Sequence, residues 1–246
     1  MAKDKKKQLD VIYGIHSICE LLKAKRRKLV TLYTTKIPPK GWKSIQKIGI
    51  PKLTNLQYVS REFLAKFSGT TDHQGVVGLA QQFVFRKSFF DSKKSQFVLL
   101  LDGIQDPRNL GAILRSAYCT GVDGVIITKK HSAPITGAAL KASAGLAEHL
   151  DIYQAPSSLS ALQELGKQNY NVYLAALSSR ANNAIEVTYK MPLCIVIGNE
   201  AQGISKSLFS FGTVVQLPQK TSDVSYNASV AAGILLFTIA TYSSKI

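Results

Sequence analysis

Cysteine is scarce in this chain of 246 residues: Cys19, Cys119 and Cys194 stand far apart, odd in number and without Cys-x-x-Cys spacing. They suggest neither a disulfide framework nor a zinc site, and they read as small buried apolar residues. Long hydrophobic runs are missing too, none approaching the ~20 residues of a membrane span. The chain starts on a lysine run (Lys3, Lys5, Lys6, Lys7) with no apolar stretch behind it, so no signal peptide is read and a cytoplasmic location is expected. No strand is followed by Gly-x-Gly-x-x-Gly and a ribose-binding acid, which argues against a nucleotide-dependent dehydrogenase.

The remaining shortage is of acidic residues, with 15 Asp and Glu against 31 Lys and Arg for a net charge of +16. Placement matters more than size. Residues 1–96 carry 20 basic against 6 acidic side chains, whereas residues 97–246 carry 11 against 9. A basic excess confined to one end attracts polyanions by counterion release, and RNA is the expected partner. A merely solvated basic surface is the bland alternative.

What is present alternates. Ile15, Ile18, Leu21 and Leu22 recur at helical spacing, then come strand-like LVTLY from Leu29, helix-like GWKSIQKIG, extended IPKLTNL, helix-like SREFLAKFSG and strand-like GVVGLAQ. This predicts a small α/β domain over residues 1–85. The charged, aperiodic stretch Arg86 to Gln96 reads as a linker. From Phe97 onward strands and helices alternate again, including one helix over ITGAALKASAGLAEH and a terminal helix from about Ser225. Such alternation implies a parallel sheet covered on both faces over residues 97–246.

Three segments in this second part each run a buried strand into a loop rich in Gly, Asn, Asp or Ser. In LDGIQDPRNLGAILRSA, from Leu101, Asn109 sits where an N-cap would, before the apolar stripe Leu110, Ile113 and Leu114. Arg115 follows, either snorkelling to the surface or seeking an anion, and Gly111 permits close approach to the helix start. In IVIGNEAQGIS, from Ile195, Gly198 and Gly203 flank Glu200 in a tight loop. Glu200 is read either as a solvated capping residue or as the partner of Arg115. In LPQKTSDVSYNASVAAGILLF, from Leu217, the side chains of Ser225, Asn227 and Ser229 crowd a helix start ahead of an apolar run.

Taken together, and in this order, the three segments resemble the motifs of the SpoU (TrmH-like) family of RNA ribose 2′-O-methyltransferases. IYGIHSICELL and DHQGVVGLA resemble the segments that bracket the RNA-binding extension of its RlmB-like branch. The resemblance implies a SPOUT fold, an α/β parallel sheet with a C-terminal trefoil knot, preceded by a small α/β RNA-binding domain. It implies S-adenosylmethionine as methyl donor, no metal, and a homodimer whose sites borrow from both subunits. The substrate implied is a guanosine ribose of large-subunit (23S-type) ribosomal RNA. A transfer-RNA methyltransferase is the alternative within the class, and a non-catalytic RNA-binding or ribosome-assembly protein the alternative outside it.

Residue by residue, the resemblance places Asn109, Arg115, Glu200, Ser225 and Asn227 at the catalytic centre. Arg115 is favoured as phosphate clamp rather than base, because a guanidinium stays protonated. Backbone groups of Gly198, Leu217 and Tyr226, with Ala175 or Ala176, are implied to hold the donor. Four positions, in three places, depart from the family pattern. Thr221 stands where a glycine is usual, Tyr226 and Ala228 replace the Leu and Val of Ser-Leu-Asn-Val-Ser, and His131 replaces an arginine.

Overall fold

The computed structural model describes residues 8–221, 224–243 and 246. The lysine run at residues 3–7 and Ser222 and Asp223 of the third segment lie outside the described residues. The chain divides into two compact units, residues 1–84 with 135–149, and residues 85–134 with 150–246.

The first unit is built from β1 (Leu9–Tyr13), α1 (Ile15–Ala24), β2 (Leu29–Thr34), α2 (Trp42–Ile48), β3 (Asn55–Tyr58), α3 (Arg61–Ser68) and β4 (Val76–Gln81). Its sheet runs β1-β4-β2-β3, with β2 and β3 parallel and the other pairs antiparallel. The segments IYGIH and DHQG meet here. Gln74 Oε1 accepts from Ile15 N at 3.1 Å, capping α1 across the fold, because Gly14 has no side chain to do so. His73 Nδ1 accepts from Gly75 N at 3.0 Å, which makes this histidine a buried structural residue.

The second unit contains β5 (Phe97–Asp102), α4 (Pro107–Cys119) and β6 (Gly124–Thr128). The chain then enters the first unit through α5 (Gly137–Ala142) and a 3₁₀ turn (Leu146–His149), and returns as β7 (Ile152–Ala155). After α6 (Ser158–Lys167) and β8 (Asn171–Ala175) come β9 (Asn182–Asn183), β10 (Leu193–Gly198), a 3₁₀ turn (Lys206–Phe211), β11 (Thr213–Gln216) and α7 (Ala228–Tyr242). Every pairing in the seven-stranded sheet β7-β6-β5-β10-β8-β11-β9 is parallel. β10 is buried along its whole length and β5 up to Asp102, so both read as unbroken apolar runs. Each such Leu, Ile or Val contributes ~1.5–3 kcal/mol. No helix among the described residues is long and apolar enough to cross a membrane.

Five expectations are corrected. Cys119 is exposed, while Cys19 and Cys194 are buried as read. Residues 86–96 are packed: Arg86 N donates to Ile152 O at 2.8 Å, Arg86 pairs with Asp151 at 3.0 Å, and Phe90 is buried against Gly124. The two phenylalanines of that stretch supply an anchor that its charge conceals. The helix expected over 135–149 breaks at Ala144 (φ 53°) and Gly145 (φ 83°). A Cβ on Gly145 would sit 2.8 Å from His16 O, so the break lets the chain pass close to α1. β1 falls in a stretch for which no strand was expected. Finally, α4 starts two residues before Asn109: Asp106 is its N-cap, accepting from Arg108 N at 2.8 Å, with Pro107 at the first helical position.

Candidate active site

Four neighbouring strands, β5, β10, β8 and β11, end on the same edge of the sheet, and their loops with the start of α7 enclose a cleft of about 870 Å³. Carboxyl ends of parallel strands are where such sheets hold ligands. Each wall has a local cause. After β5, Gly103 takes φ 74°, a left-handed conformation that a side chain would strain. After β10 the backbone doubles back on itself, so a Cβ on Gly198 would lie 2.4 Å from Gly203 C and 2.5 Å from Ile204 N. Gly198 is therefore required by the loop itself, and Gly203, at φ 66°, completes the turn.

Asn199 holds these two loops together, and the sequence reading missed it. Its Nδ2 donates to Gly103 O at 2.7 Å, while its Oδ1 accepts from Ala201 N at 2.9 Å and Gln202 N at 3.0 Å. An Asn directly after a strand and before a glycine loop is an Asx-turn signal, and that signal could have found it. Asp102, Gln105 and His131 also line the cleft.

Glu200 organises the start of α4. Its carboxylate accepts from Gln105 N and Asp106 N at 3.2 Å each and from Asn109 Nδ2 at 3.1 Å. Burial alone would push this carboxyl up, but the hydrogen bonds from Asn109 and from the backbone outweigh it and hold it below the usual carboxylate range. Of the two readings of Glu200, the pair with Arg115 is not formed. Six residues at about 100° per residue carry Arg115 onto a different face of α4 from Asn109. There it is exposed, with no ion pair among the described residues.

Of the remaining expected residues, Ser225 lines the cleft. Asn227 is the N-cap of α7, its Oδ1 accepting from Ser229 N at 2.9 Å and Ser229 Oγ at 2.6 Å, and it does not line the cleft. Gly198, Leu217, Tyr226, Ala175 and Ala176 all do. The Tyr226 hydroxyl donates to Pro218 O at 3.2 Å, so the unusual ring folds back over its own loop. Among the described residues no group of His, Cys, Asp and Glu is placed to hold a metal.

The second unit is a parallel α/β fold with a cleft built from loops at the carboxyl edge of its sheet. Residues 96–237 match the SpoU rRNA Methylase family, and residues 11–84 match the family described as RNA 2′-O ribose methyltransferase substrate binding. The chain belongs to the SpoU rRNA methylase family, and it is an enzyme of the RNA methyltransferase class. It is 30% identical over 244 residues to the 23S rRNA (guanosine-2′-O-)-methyltransferase RlmB of Shewanella oneidensis, covering 94% of this chain and 96% of the relative. YacO of Bacillus subtilis, assigned to the TrmH family of tRNA/rRNA methyltransferases, is 31% identical over 241 residues, 94% and 95% of the two chains. A solved RNA 2′-O ribose methyltransferase superposes with a TM-score of 0.83 at 23% identity, over 98% of this chain and 90% of that one. An AdoMet-bound rRNA methyltransferase from Sinorhizobium meliloti gives 0.79 at 20% identity, over 98% and 89%. At these identities the likeness is one of fold.

Proposed function

We propose that the protein methylates the 2′-hydroxyl of a guanosine ribose in large-subunit ribosomal RNA, in the cytoplasm, with S-adenosylmethionine as donor. The observation that carries this is convergence. Gly198, Leu217, Tyr226, Ala175 and Ala176, drawn from three separate chain segments, all line one cleft. The cleft suits the donor: it is large enough for a nucleoside with an amino-acid arm, and it joins backbone edges after β10 and β11 to small apolar walls at Ala175 and Ala231. The near full-length likeness to an RlmB enzyme supports ribosomal RNA over transfer RNA, as does the match of residues 11–84 to a substrate-binding family.

Bound there, the donor would supply a sulfonium methyl for in-line transfer to the ribose oxygen. The chain's own residues position and neutralise. Arg115 is assigned the clamp on an RNA phosphate, a role supported by its exposure on α4 and by the lack of an ion pair among the described residues. Glu200 and Asn109 hold the α4 entry loop, Asn227 sets the start of α7, and Ser225 presents a hydroxyl to the cleft.

A homodimer and the trefoil threading of the chain end belong to the same proposal. α7 buries Leu235, Leu236 and Ile239 but leaves Val230, Ile234 and Phe237 substantially exposed, an apolar face that a second copy would cover. The test is transfer of tritium from labelled S-adenosylmethionine to protein-free large-subunit ribosomal RNA and to bulk transfer RNA, for wild type and Arg115→Ala. Label in ribosomal RNA that is lost in the variant is expected. Label confined to transfer RNA would overturn the substrate, and no label with no donor binding would overturn the enzyme.

A further inference from the structure

A second cavity, of about 350 Å³, lies wholly within the first unit, where the parallel strands β2 and β3 end. Thr34 and Tyr58, the last residues of the two strands, sit side by side in register, and Trp42, Gln46 and Lys36 complete the lining. The volume is at the small end of the ~300–1,000 Å³ of ligand pockets. Nothing in the methyl-transfer cleft accounts for it.

Two aromatic side chains there are in unequal states. Trp42 is only 7% exposed, yet its indole N–H has no acceptor among the described residues. A nearly buried donor left without a partner costs free energy, so such groups are normally satisfied. It is not sealed from solvent either, since among the described residues the one fully enclosed side-chain polar atom without a partner is Ser17 Oγ. Trp42 is itself one of the residues that line the pocket. Tyr58, by contrast, is 56% exposed, a large ring held at the mouth with its surface uncovered.

The charge around this pocket identifies what it can take. Between Glu20 and Glu62 the chain carries eleven Lys and Arg and no Asp or Glu, and the pocket-lining segments, Lys36 included, fall inside that interval. A polyanion is attracted here, and single-stranded RNA is read by splaying bases onto aromatic side chains and bonding their edges. We propose that this pocket receives one unstacked base of the RNA substrate. The Tyr58 ring stacks on the base, the Trp42 N–H donates to an acceptor on its edge, and Lys36 meets the adjoining phosphate. The proposal rests on the RNA-methylating function above and adds to it a site of sequence discrimination remote from the reacting ribose.

Trp42 is the only tryptophan, so its emission reports the pocket directly. The full chain is titrated with a fluorescein-labelled stem–loop oligoribonucleotide and with the same strand in a complete duplex, following RNA anisotropy and tryptophan emission together. The stem–loop is expected to quench Trp42 and the duplex to leave it unchanged. Tyr58→Ala is expected to weaken stem–loop affinity by about tenfold, within the usual worth of one base–aromatic stack, and Tyr58→Phe to retain it. Trp42→Phe, which keeps a ring in the core, is expected to lose several-fold affinity.

Stem–loop binding with unaltered Trp42 emission, and equal affinity for wild type and Tyr58→Ala, would overturn the pocket. Methyl transfer to ribosomal RNA separates the two claims. Activity in Tyr58→Ala with an unchanged KM for RNA sinks the base site and leaves the methyltransferase standing, whereas a wild type that neither binds RNA nor transfers methyl sinks both.

Discussion

The Asn109 amide donates to Glu200 Oε1 at 3.1 Å, tying the loop after β10 to the first turn of α4. The same carboxylate gathers two backbone N–H groups just ahead of that helix, at Gln105 and Asp106, so one side chain serves three donors. A carboxylate at a helix start is also favoured by the helix dipole.

Glu200→Gln should therefore loosen the cleft without unfolding the chain, lowering donor affinity on the order of tenfold, as expected for a charge-assisted network. The effect carries a pH signature. The folded-state pKa of Glu200 is depressed, so its contribution is complete above the unfolded value of about 4.3 and is lost as pH falls through the folded value. The gap in urea midpoint between wild type and Glu200→Gln should hold from pH 8 to pH 5 and close in stronger acid. A gap that persists there would mean the charge is not what matters.

Gly198→Ala is expected to be more damaging to the cleft than its size suggests. The added methyl would lie 2.4 Å from one backbone atom of the returning loop and 2.5 Å from another, so the backbone itself must move. Overpacking of this kind costs ~1–3 kcal/mol. Calorimetric titration with S-adenosylmethionine should show donor binding lost while the melting temperature falls by only a few degrees. Full-strength binding by the variant would show that the loop has slack absent from this structure.

How much of this was legible in the sequence depends on the range of the interaction. Helices α1, α2 and α3 and strands β2 and β4 follow from local periodicity, which is set by each segment's own burial. β10 and β5 were legible because a strand buried on both faces is apolar throughout. The start of α4 is ambiguous in the sequence because Asp106 and Asn109 are both good caps, and Pro107 at the first helical position decides for Asp106. Charge alone leaves Glu200 open between an Arg115 partner and a helix-capping residue, and its bond to Asn109, on a different face of α4 from Arg115, decides for the second. The break at Gly145 is invisible in the sequence because it is fixed by distant chain at α1, whereas Asn199 carries a local Asx-turn signal and only its bond to Gly103 lies beyond local reach. The five donor-site candidates came from resemblance, and the geometry brings them to one cleft.

Arg27 provides a stability test confined to the first unit. Its guanidinium meets Glu148 at 2.5 Å and Asp10 at 2.6 Å, with the side chains of Arg27 and Glu148 1% and 2% exposed. Removing one member of a buried pair leaves an uncompensated charge and costs ~3–5 kcal/mol, whereas replacing both by apolar groups is often neutral. Arg27→Met should lower the urea midpoint, read through Trp42 emission, and Arg27→Met with Glu148→Leu should recover much of the loss. Additive losses would show that the two charges act independently.

The same ion pair decides what happens when the basic N-terminal segment is cut away. Glu148 belongs to residues 135–149, which leave the sheet of the second unit and bury Ile135, Ala139, Leu140 and Ala147 within the first. Deleting residues 1–85 removes partners of this excursion, stripping Arg27 from Glu148 and uncovering apolar side chains buried against the first unit. The truncated chain is expected to express poorly or aggregate, so lost RNA affinity in it would not report on RNA contact. Charge substitution keeps the fold and isolates the electrostatics. Exchanging Lys40, Lys43 and Lys47, all exposed, for Gln in the full chain should flatten the dependence of RNA affinity on salt, by up to about one unit of log–log slope per lost phosphate contact, while donor affinity stays the same. An unchanged slope would place the RNA on a different face, and a monodisperse, donor-binding protein lacking residues 1–85 would show that residues 135–149 fold without their present neighbours.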